Sequence, residues 1–468
     1  MSPSRYRLLL LLAIFLEAGY LGIRSLGNLS EQVVEFVALS LLASSLYLVC
    51  CYLITREQRT AGSSSGPAAG RVASRKLLVL IWGAGIVFRF TLLPLDPTLS
   101  EDLNRYRWHG KLQAAGGNPY VEIPADPRWE HLRDRTWPHV NRRDLPSVYG
   151  PLLEMIYAGY YQLVSALEPD EIRQVWLFKL PFALLELAVG AAVLQLLTAA
   201  GAPQEWLLIY LWSPLMVVEF WAQGHNDPVA VLFAVLALAA ATRERWSWAF
   251  VSLTLAALAK FWPAVLFPFF LLQRRNKRWI LRWKPALAVL PVALAVSWPY
   301  WGGISKVSEL LKGFVGGWRN NDSLYGLIYQ FSGEDFERGT TLVTRLLIAA
   351  LAALWALQLP LVKAAKWAVV LILLFSANCF PWYLSWLAPL LAVYPGAPLL
   401  LWTALVVLSY HVLIGYQALG VWEDSDQIRL LEYLPVYALL CGVFLARHAK
   451  RLWDTTLGFA KRHSEPQA

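Results

Sequence analysis

The sequence predicts an all-α fold, a polytopic bundle of about 12–14 transmembrane helices, and three observations predict it. Apolar runs of membrane length recur throughout the 468 residues, and a helix needs about 20 apolar residues to cross a bilayer's hydrocarbon core. Charge is scarce, with 16% charged against 57% hydrophobic residues, whereas a soluble domain carries about 25% charged residues. The 23 Trp and 20 Tyr gather near the ends of the apolar runs, where amphipathic rings settle at the interface.

Taken in order, the first run, 7–24, follows Arg5 and Arg7 and lacks a cleavage site, so it reads as an uncleaved span. Spans then follow at 33–54, 77–95, 150–167, 176–199, 206–221, 228–242 and 248–272. Later ones are 285–300, 340–358, 366–380, 382–395, 398–417 and 429–447, the shortest being expected as broken or partial helices. The loops between them sort by charge. Loop 55–76 holds Arg56, Arg59, Arg71, Arg75 and Lys76 against Glu57, around a flexible Ser/Gly/Ala linker over 61–70. The run Arg274-Arg275-Asn276-Lys277-Arg278 with Arg282 and Lys284, then Lys363 and Lys366, and the tail from Arg447 to His463 are basic too. Fourteen crossings place all of these in the cytoplasm with both termini, and 96–148, 301–339 and 418–428 outside. The net charge of +9 is thereby explained by topology, which excludes nucleic acid as the partner. Cys50, Cys51, Cys379 and Cys441 lie in or beside apolar runs without metal spacing and read as buried thiols.

Loop 96–148 is too long for a simple connector. It is balanced in charge, rich in Trp and Pro, and suited to amphipathic helices on the outer surface. It opens with Ser100-Glu101-Asp102-Leu103-Asn104-Arg105-Tyr106-Arg107-Trp108-His109-Gly110 and runs on to Gly117-Asn118-Pro119-Tyr120. At 3.6 residues per turn Asp102, Arg105, Tyr106 and His109 share one helical face. Ionisable groups within or beside membrane spans are costly and usually partnered or functional. Three more stretches qualify: Gly224-His225-Asn226-Asp227-Pro228, Lys260 before Phe261-Trp262-Pro263, and Ser376-Ala377-Asn378-Cys379-Phe380-Pro381-Trp382-Tyr383. The second outer loop adds Gly317-Trp318-Arg319-Asn320-Asn321-Asp322. Each has a structural reading beside the functional one. Asp102 can pair with Arg105 on its own helix; His225 and Asp227 can cap the helix starting at Pro228. Lys260 can pair with a carboxylate or snorkel, and Arg319 and Asn320 can cap the helix of the second loop. No repeat, nucleotide-binding glycine loop or HExxH motif is visible, and no metal site is expected.

These motifs carry a resemblance. Ser-x-Asp-x-x-x-Tyr-x-Trp-x-Gly followed by Gly-Asn-Pro-Tyr resembles the first outer loop of GT-C superfamily glycosyltransferases, in particular bacterial mannosyltransferases that use a polyprenyl-phosphate sugar donor. Gly-His-Asn-Asp, the Lys260–Pro263 stretch and Pro381-Trp382-Tyr383 are similar to further blocks of those enzymes in the same order, and Tyr149-Gly150-Pro151-Leu152 resembles their Tyr-Pro-Pro-Leu. The likeness covers about 77–395. It departs at His109, where relatives often have Asp, and at Phe380, where they often have His. The resemblance implies a domain plan of two N-terminal spans and a basic linker (1–76), a GT-C-like catalytic module (77–395), and C-terminal spans with a basic tail (396–468).

It further implies an enzyme of a bacterial inner membrane with its active site facing the periplasm. A sugar, mannose by analogy, would pass from a polyprenyl-phosphate monosaccharide to a lipid, glycan or protein acceptor, with inversion. Asp102 matches the family position of the general base. Arg105, Tyr106, His109, Asn118, Tyr120, His225, Asn226, Asp227, Lys260, Arg319, Asn320, Trp382 and Tyr383 are the expected substrate-binding residues. The expected partners are the lipid-linked donor, the acceptor and membrane lipids; no tightly bound cofactor is expected, and nothing in the sequence decides a divalent-metal requirement. The rival readings are a transporter or flippase of lipid-linked sugars, and a polysaccharide ligase or polymerase. A carrier places its polar residues at midmembrane between repeats, whereas here they concentrate in outer loops.

Overall fold

The computed structural model describes residues 3–61, 75–304 and 319–463; most of the 61–70 linker, Arg71, Gly317 and Trp318 lie outside them. The regular structure of the described chain is helical apart from one antiparallel hairpin, β1 (Leu272–Arg275) and β2 (Arg278–Leu281), in which Arg275 pairs with Arg278 across the turn. The order begins α1 (Pro3–Ser25), α2 (Val33–Ala61), α3 (Arg75–Leu92), α4 (Asp102–Ala114), α5 (Pro151–Leu167), α6 (Glu171–Leu177) and α7 (Leu180–Ala199). It continues with α8 (Leu208–Leu211), α9 (Pro214–Val217), a π-helical turn at Val218–Ala222, α10 (Pro228–Thr242), α11 (Trp246–Ala259) and α12 (Phe267–Leu271). Longer helices follow at Phe336–Ala356, Leu361–Leu374 and Asp426–His463. Among the described residues seven helical segments are long and apolar enough to cross a membrane, including Pro3–Ser25, Glu171–Ala199 and Asp426–Ala446. The protein is an all-α polytopic membrane protein.

Contacts divide the loops between two ends of the bundle. At one end Arg243 donates to the Gln195 carbonyl (3.0 Å), Arg275 pairs with Glu244 (2.5 Å), and the Arg274 N–H donates to Gln358 (2.6 Å). At the other, the Leu29 N–H donates to Thr98 (3.1 Å), Lys260 pairs with Asp227 (2.7 Å), and Tyr300 donates to Gln113 of α4 (2.8 Å). The basic hairpin therefore lies opposite α4.

Two expected spans are corrected by these contacts. The run 150–167 does not cross: the Gly150 N–H meets the Ala259 carbonyl (3.1 Å) at one end of α5, and beyond its other end Arg135 holds Asp170 and Glu171. α5 lies against α4 instead, where Gly110 permits the contact; a Cβ there would come within 2.5 Å of the Tyr157 carbonyl oxygen and the Tyr161 Cβ. The run 248–272 is two short passes. α11 ends at Lys260, whose backbone is extended, and a 3-10 turn at Trp262–Leu266 leads back through α12 to the hairpin. One crossing lost and one gained leave the parity unchanged. They do move Gly224–Pro228 from the cytoplasmic side expected by the count to the end that carries α4. The expectation of broken short spans holds at 382–395, which is a 3-10 turn at Pro381–Trp386 followed by Ala388–Val393.

Charge inside the bundle is paired. Arg89 on α3 and Glu186 on α7, both fully buried, form a two-pronged bond (2.5 and 2.7 Å); Arg89 also donates to the Leu211 carbonyl (2.6 Å), and Trp221 donates to Glu186 (3.0 Å). This cluster clamps α3, α7 and the 208–222 segment. Removing one partner of such a pair leaves a buried uncompensated charge, at a cost of about 3–5 kcal/mol. Glu186→Leu is expected to lower the unfolding temperature of the detergent-purified protein sharply, and Arg89→Met/Glu186→Leu to recover much of the loss. A single variant as heat-stable as the parent would show that the pair does not hold these helices together.

Candidate functional site

The end carrying α4 encloses a cavity of about 1230 Å3, lined among others by Asp102, Arg105, Asn141, Lys260, Asn320, Trp382, Tyr383 and Tyr410. That exceeds the roughly 300–1,000 Å3 of an ordinary small-molecule site. Four parts of the chain distant in sequence build the walls: the α4 loop, the break after α11, the Asn320–Asn378 bridge, and the Pro381–Trp386 turn running on to Trp422.

Asp102 opens α4, where the positive end of the helix dipole favours a carboxylate. Asn141 donates to its Oδ1 (2.9 Å), Tyr106 donates to its Oδ2 (3.3 Å), and His225 Nδ1 stands 3.7 Å from Oδ2. Burial alone would push this carboxyl up; His225, Asn141 and the Lys260 charge outweigh it and hold it below the ordinary carboxylate range. Asp102 is therefore ionised at neutral pH.

Arg105 makes no ion pair with it. Its Nε–H donates to His109 Nε2 (2.8 Å), and its two terminal nitrogens donate to the carbonyls of Asn141 (2.7 Å), Arg142, Leu145 (2.6 Å) and Pro146 (3.1 Å). The guanidinium thus pins the strap that delivers Asn141 to Asp102. Since His109 Nε2 accepts, its Nδ1 carries the proton and donates to Glu154 (2.8 Å). Burial holds the His109 imidazole below its ordinary range despite that neighbouring carboxylate. His109 is a neutral strut between helices and does not line the cavity.

The Gly224–Pro228 stretch follows the π-helical turn, and Gly224 adopts a left-handed φ of +75° with Lys179 packed against it. That turn delivers three buried side chains. His225 stacks on Trp382 (centroids 3.9 Å apart, planes at 16°), Asn226 donates to Tyr157 (2.5 Å), and Asp227 accepts from Lys260 (2.7 Å) and Trp386 (2.6 Å). Asp227 does occupy the N-cap position of α10, but its side chain makes no capping bond. Carboxylate pairing is also the role Lys260 takes, while it remains at the cavity wall.

Of the other expected site residues, Asn320, Trp382 and Tyr383 line the cavity. Asn320 accepts from Trp422 (3.0 Å), and its backbone pairs with the strand-like stretch Ala377–Cys379. Tyr106 lies behind the wall, stacked on Tyr157 (4.9 Å). Three sit elsewhere. The Asn118 side chain accepts from the Tyr120 N–H (3.0 Å), buried Tyr120 donates to the Tyr149 carbonyl (2.7 Å), and Arg319 pairs with Asp322 (2.6 Å) over the Tyr329 ring (4.5 Å). Asn118 and Tyr120 shape the loop, and neither Arg319 nor Asn320 makes the cap expected for the Leu324–Phe331 helix. Sequence reasoning missed Asn141, Tyr410 and Glu219. Glu219 had a signal, being a lone acid in the apolar run 206–221; Asn141 and Tyr410 had none, since only tertiary packing brings them to this end.

The family model MptA_B family, described as alpha-(1->6)-mannopyranosyltransferase, N-terminal domain, matches residues 14–275, a stretch that contains Asp102, Glu219, His225, Asp227 and Lys260. No curated protein and no solved structure matches the chain. With more than half its length under that model, the chain belongs to the alpha-(1->6)-mannopyranosyltransferase family and is a multi-pass membrane glycosyltransferase.

Proposed function

We propose that the protein moves mannose from a polyprenyl-phosphate monosaccharide to an acceptor hydroxyl at the outer face of the membrane, with inversion at the anomeric carbon. The observation that carries this reading is Asp102, an ionised carboxylate on the wall of a large cavity at the end of the bundle away from the basic hairpin. Its sequence position also matches the GT-C base. In the reaction Asp102 takes the acceptor O–H proton as that oxygen bonds to the anomeric carbon. The bond from that carbon to the phosphate oxygen breaks, and the lipid phosphate leaves with the electron pair. A developing phosphate charge is stabilised by fixed cations; Lys260 lines the cavity, while Arg105, its N–H groups spent on His109 and the 141–146 carbonyls, adds only its charge at the wall. Rings of Phe380, Trp382, Tyr383 and Trp422 with amides of Asn104, Asn320 and Asn378 supply apolar faces and hydrogen bonds suited to sugars. The exposed apolar helix surfaces suit a bilayer, in which a lipid-anchored donor reaches the site from the side.

Asp102→Asn keeps the shape and can still pair with Asn141. It is expected to purify normally, to bind donor, and to lose at least about a hundredfold in rate, the usual contribution of a general base. Glu101→Gln is expected to keep much of its activity, because Glu101 is part-exposed and its nearest basic partner, His139, stands 3.9 Å away. Full activity in Asp102→Asn would remove the assignment. Transfer is expected from polyprenyl-phosphate mannose and not directly from a nucleotide sugar; turnover with a nucleotide sugar in lipid-free detergent would contradict the donor. The basic hairpin predicts orientation: a cysteine placed at Asp126 is expected to react with a membrane-impermeant maleimide in intact cells, and one at Asn276 only after lysis. The reverse pattern would turn the site to the cytoplasm.

A further inference from the structure

The end of the bundle opposite α4 carries positive charge that the described chain leaves largely unbalanced. Residues 272–286 hold Arg274, Arg275, Lys277, Arg278, Arg282 and Lys284 and no acid. Glu244 pairs with Arg275 (2.5 Å); among the described residues Arg274, Lys277, Arg278, Arg282 and Lys284 have no carboxylate partner. In the hairpin register Arg275 stands opposite Arg278, an arrangement that costs stability because like charges face each other. Strand alternation puts Gln273, Arg275, Arg278 and Ile280 on one face. The Arg282 N–H continues the ladder to the Leu271 carbonyl (2.9 Å), so Arg282 follows on that same face. The other face is packed, with Trp279 stacked on Trp355 (5.5 Å). Arg282 is 9% exposed, its guanidinium lies 3.6 Å from the centre of the Trp246 ring, and its buried Nη1 has no hydrogen-bond partner among the described residues. A buried guanidinium without an acceptor is costly; the Trp246 face offsets part of that cost but offers no oxygen. Arg282 directly precedes Trp283–Gly303, a segment apolar enough to cross the membrane, on which Trp283, Leu287, Leu290 and Leu294 are exposed.

We infer that this end of the protein holds an anionic phospholipid, its headgroup phosphate accepting from Arg282 and its acyl chains lying along the exposed leucines that follow Trp283. Arg275 and Arg278 add their charge along the same hairpin face. A phosphate oxygen supplies what the Trp246 ring cannot, an acceptor for the guanidinium. Exposed apolar side chains begin one residue after Arg282, at the level where a headgroup meets hydrocarbon, which favours a lipid over free phosphate. The unpaired cations favour a lipid of net negative charge over a zwitterion, whose ammonium they repel. The site lies at the end of the bundle away from the cavity, so it stands or falls apart from the proposed reaction.

The test is thermal unfolding of the full chain in detergent, titrated separately with dioctanoyl phosphatidylglycerol, dioctanoyl phosphatidylcholine and inorganic phosphate. Phosphatidylglycerol is expected to raise the midpoint by about 2–4 °C as it saturates, and the other two to leave it in place. Arg282→Gln is expected to weaken the phosphatidylglycerol Kd at least about tenfold, the worth of a hydrogen bond to a charged group. Arg278→Gln, at an exposed position, is expected to weaken it about fivefold through lost charge alone, and it serves as the test should Arg282→Gln fail to purify. Arg128→Gln removes a basic side chain 67% exposed at the opposite end and is expected to leave the Kd unaltered. No stabilisation by phosphatidylglycerol would overturn the inference. Equal stabilisation by phosphatidylcholine would mean that any lipid serves, and equal stabilisation by inorganic phosphate that the site takes a free anion; either overturns it. A phosphatidylglycerol Kd that survives both Arg282→Gln and Arg278→Gln would put the lipid elsewhere, the cavity included, and overturn it too, as would the same loss in Arg128→Gln.

Discussion

The site depends on one ion pair. Lys260 and Asp227 meet at 2.7 Å, with Trp386 donating to the same Asp227 oxygen at 2.6 Å, and Asp227 is fully buried. The contact joins the start of α10, the break after α11 and the Pro381–Trp386 turn, three segments that share no neighbouring sequence. A carboxylate in that position cannot remain without a cation and hydrogen bonds, since the cost of burying an unpaired charge is many kcal/mol. The pairing therefore fixes where α11 must stop and where the chain after it must turn. With that turn in place, Lys260 stands at one wall of the cavity and Trp382 backs His225 at another.

Irregular helix is the means by which a bundle acquires a polar cavity. In hydrocarbon every backbone N–H and C=O must be satisfied, so non-helical backbone survives only where protein or a wet cavity surrounds it. Here the interruptions converge on the α4 end: the π-helical turn before Gly224, the extended residue Lys260, and the bridge between Asn320 and Asn378. Side chains close part of the balance. Lys179 Nζ lies within hydrogen-bond reach of the carbonyls of Leu93 (2.9 Å), Leu95, Trp221 (3.4 Å) and Ala222 (3.3 Å), so one side chain ties two interrupted segments together.

The two N-terminal helices are part of this arrangement. The matched family region begins inside α1, and both helices bind to the rest: Tyr47 donates to the Ile209 carbonyl (2.7 Å), and Asn28 and Ser30 reach the cavity rim. The other wall, from Asn320 through Trp422, lies beyond the matched region. The Asp102 and Lys260 side chains and the aromatic wall from Phe380 to Trp422 thus come from different halves of the chain.

Local pattern and composition were enough for the class of fold, the place of many of the spans and several polar clusters. Apolar length and charge placement are properties of contiguous sequence, and a bilayer reads them directly. The spacing in α4 likewise placed Asp102, Arg105, Tyr106 and His109 on one face, where Tyr106 meets Asp102 and Arg105 meets His109 instead of the Asp102–Arg105 pair the spacing allowed. What those spacings could not show is direction. Arg105 turns to the carbonyls of 141–146, and His109 to Glu154, because the loop strapped over α4 supplies better partners than the cavity does. The run 150–167 has the composition of a span and yet lies beside α4, since its ends are tied by Gly150 and Arg135 to the same side. Lys260 in an apolar run looked the same whether it marked a crossing or a turn; Asp227, 33 residues earlier, decided for the turn. The sequence by itself determined that this is a many-helix membrane protein with polar chemistry gathered in a few short stretches. Only the tertiary structure decided which of those stretches share a cavity, because a buried charge is settled by partners distant in the chain.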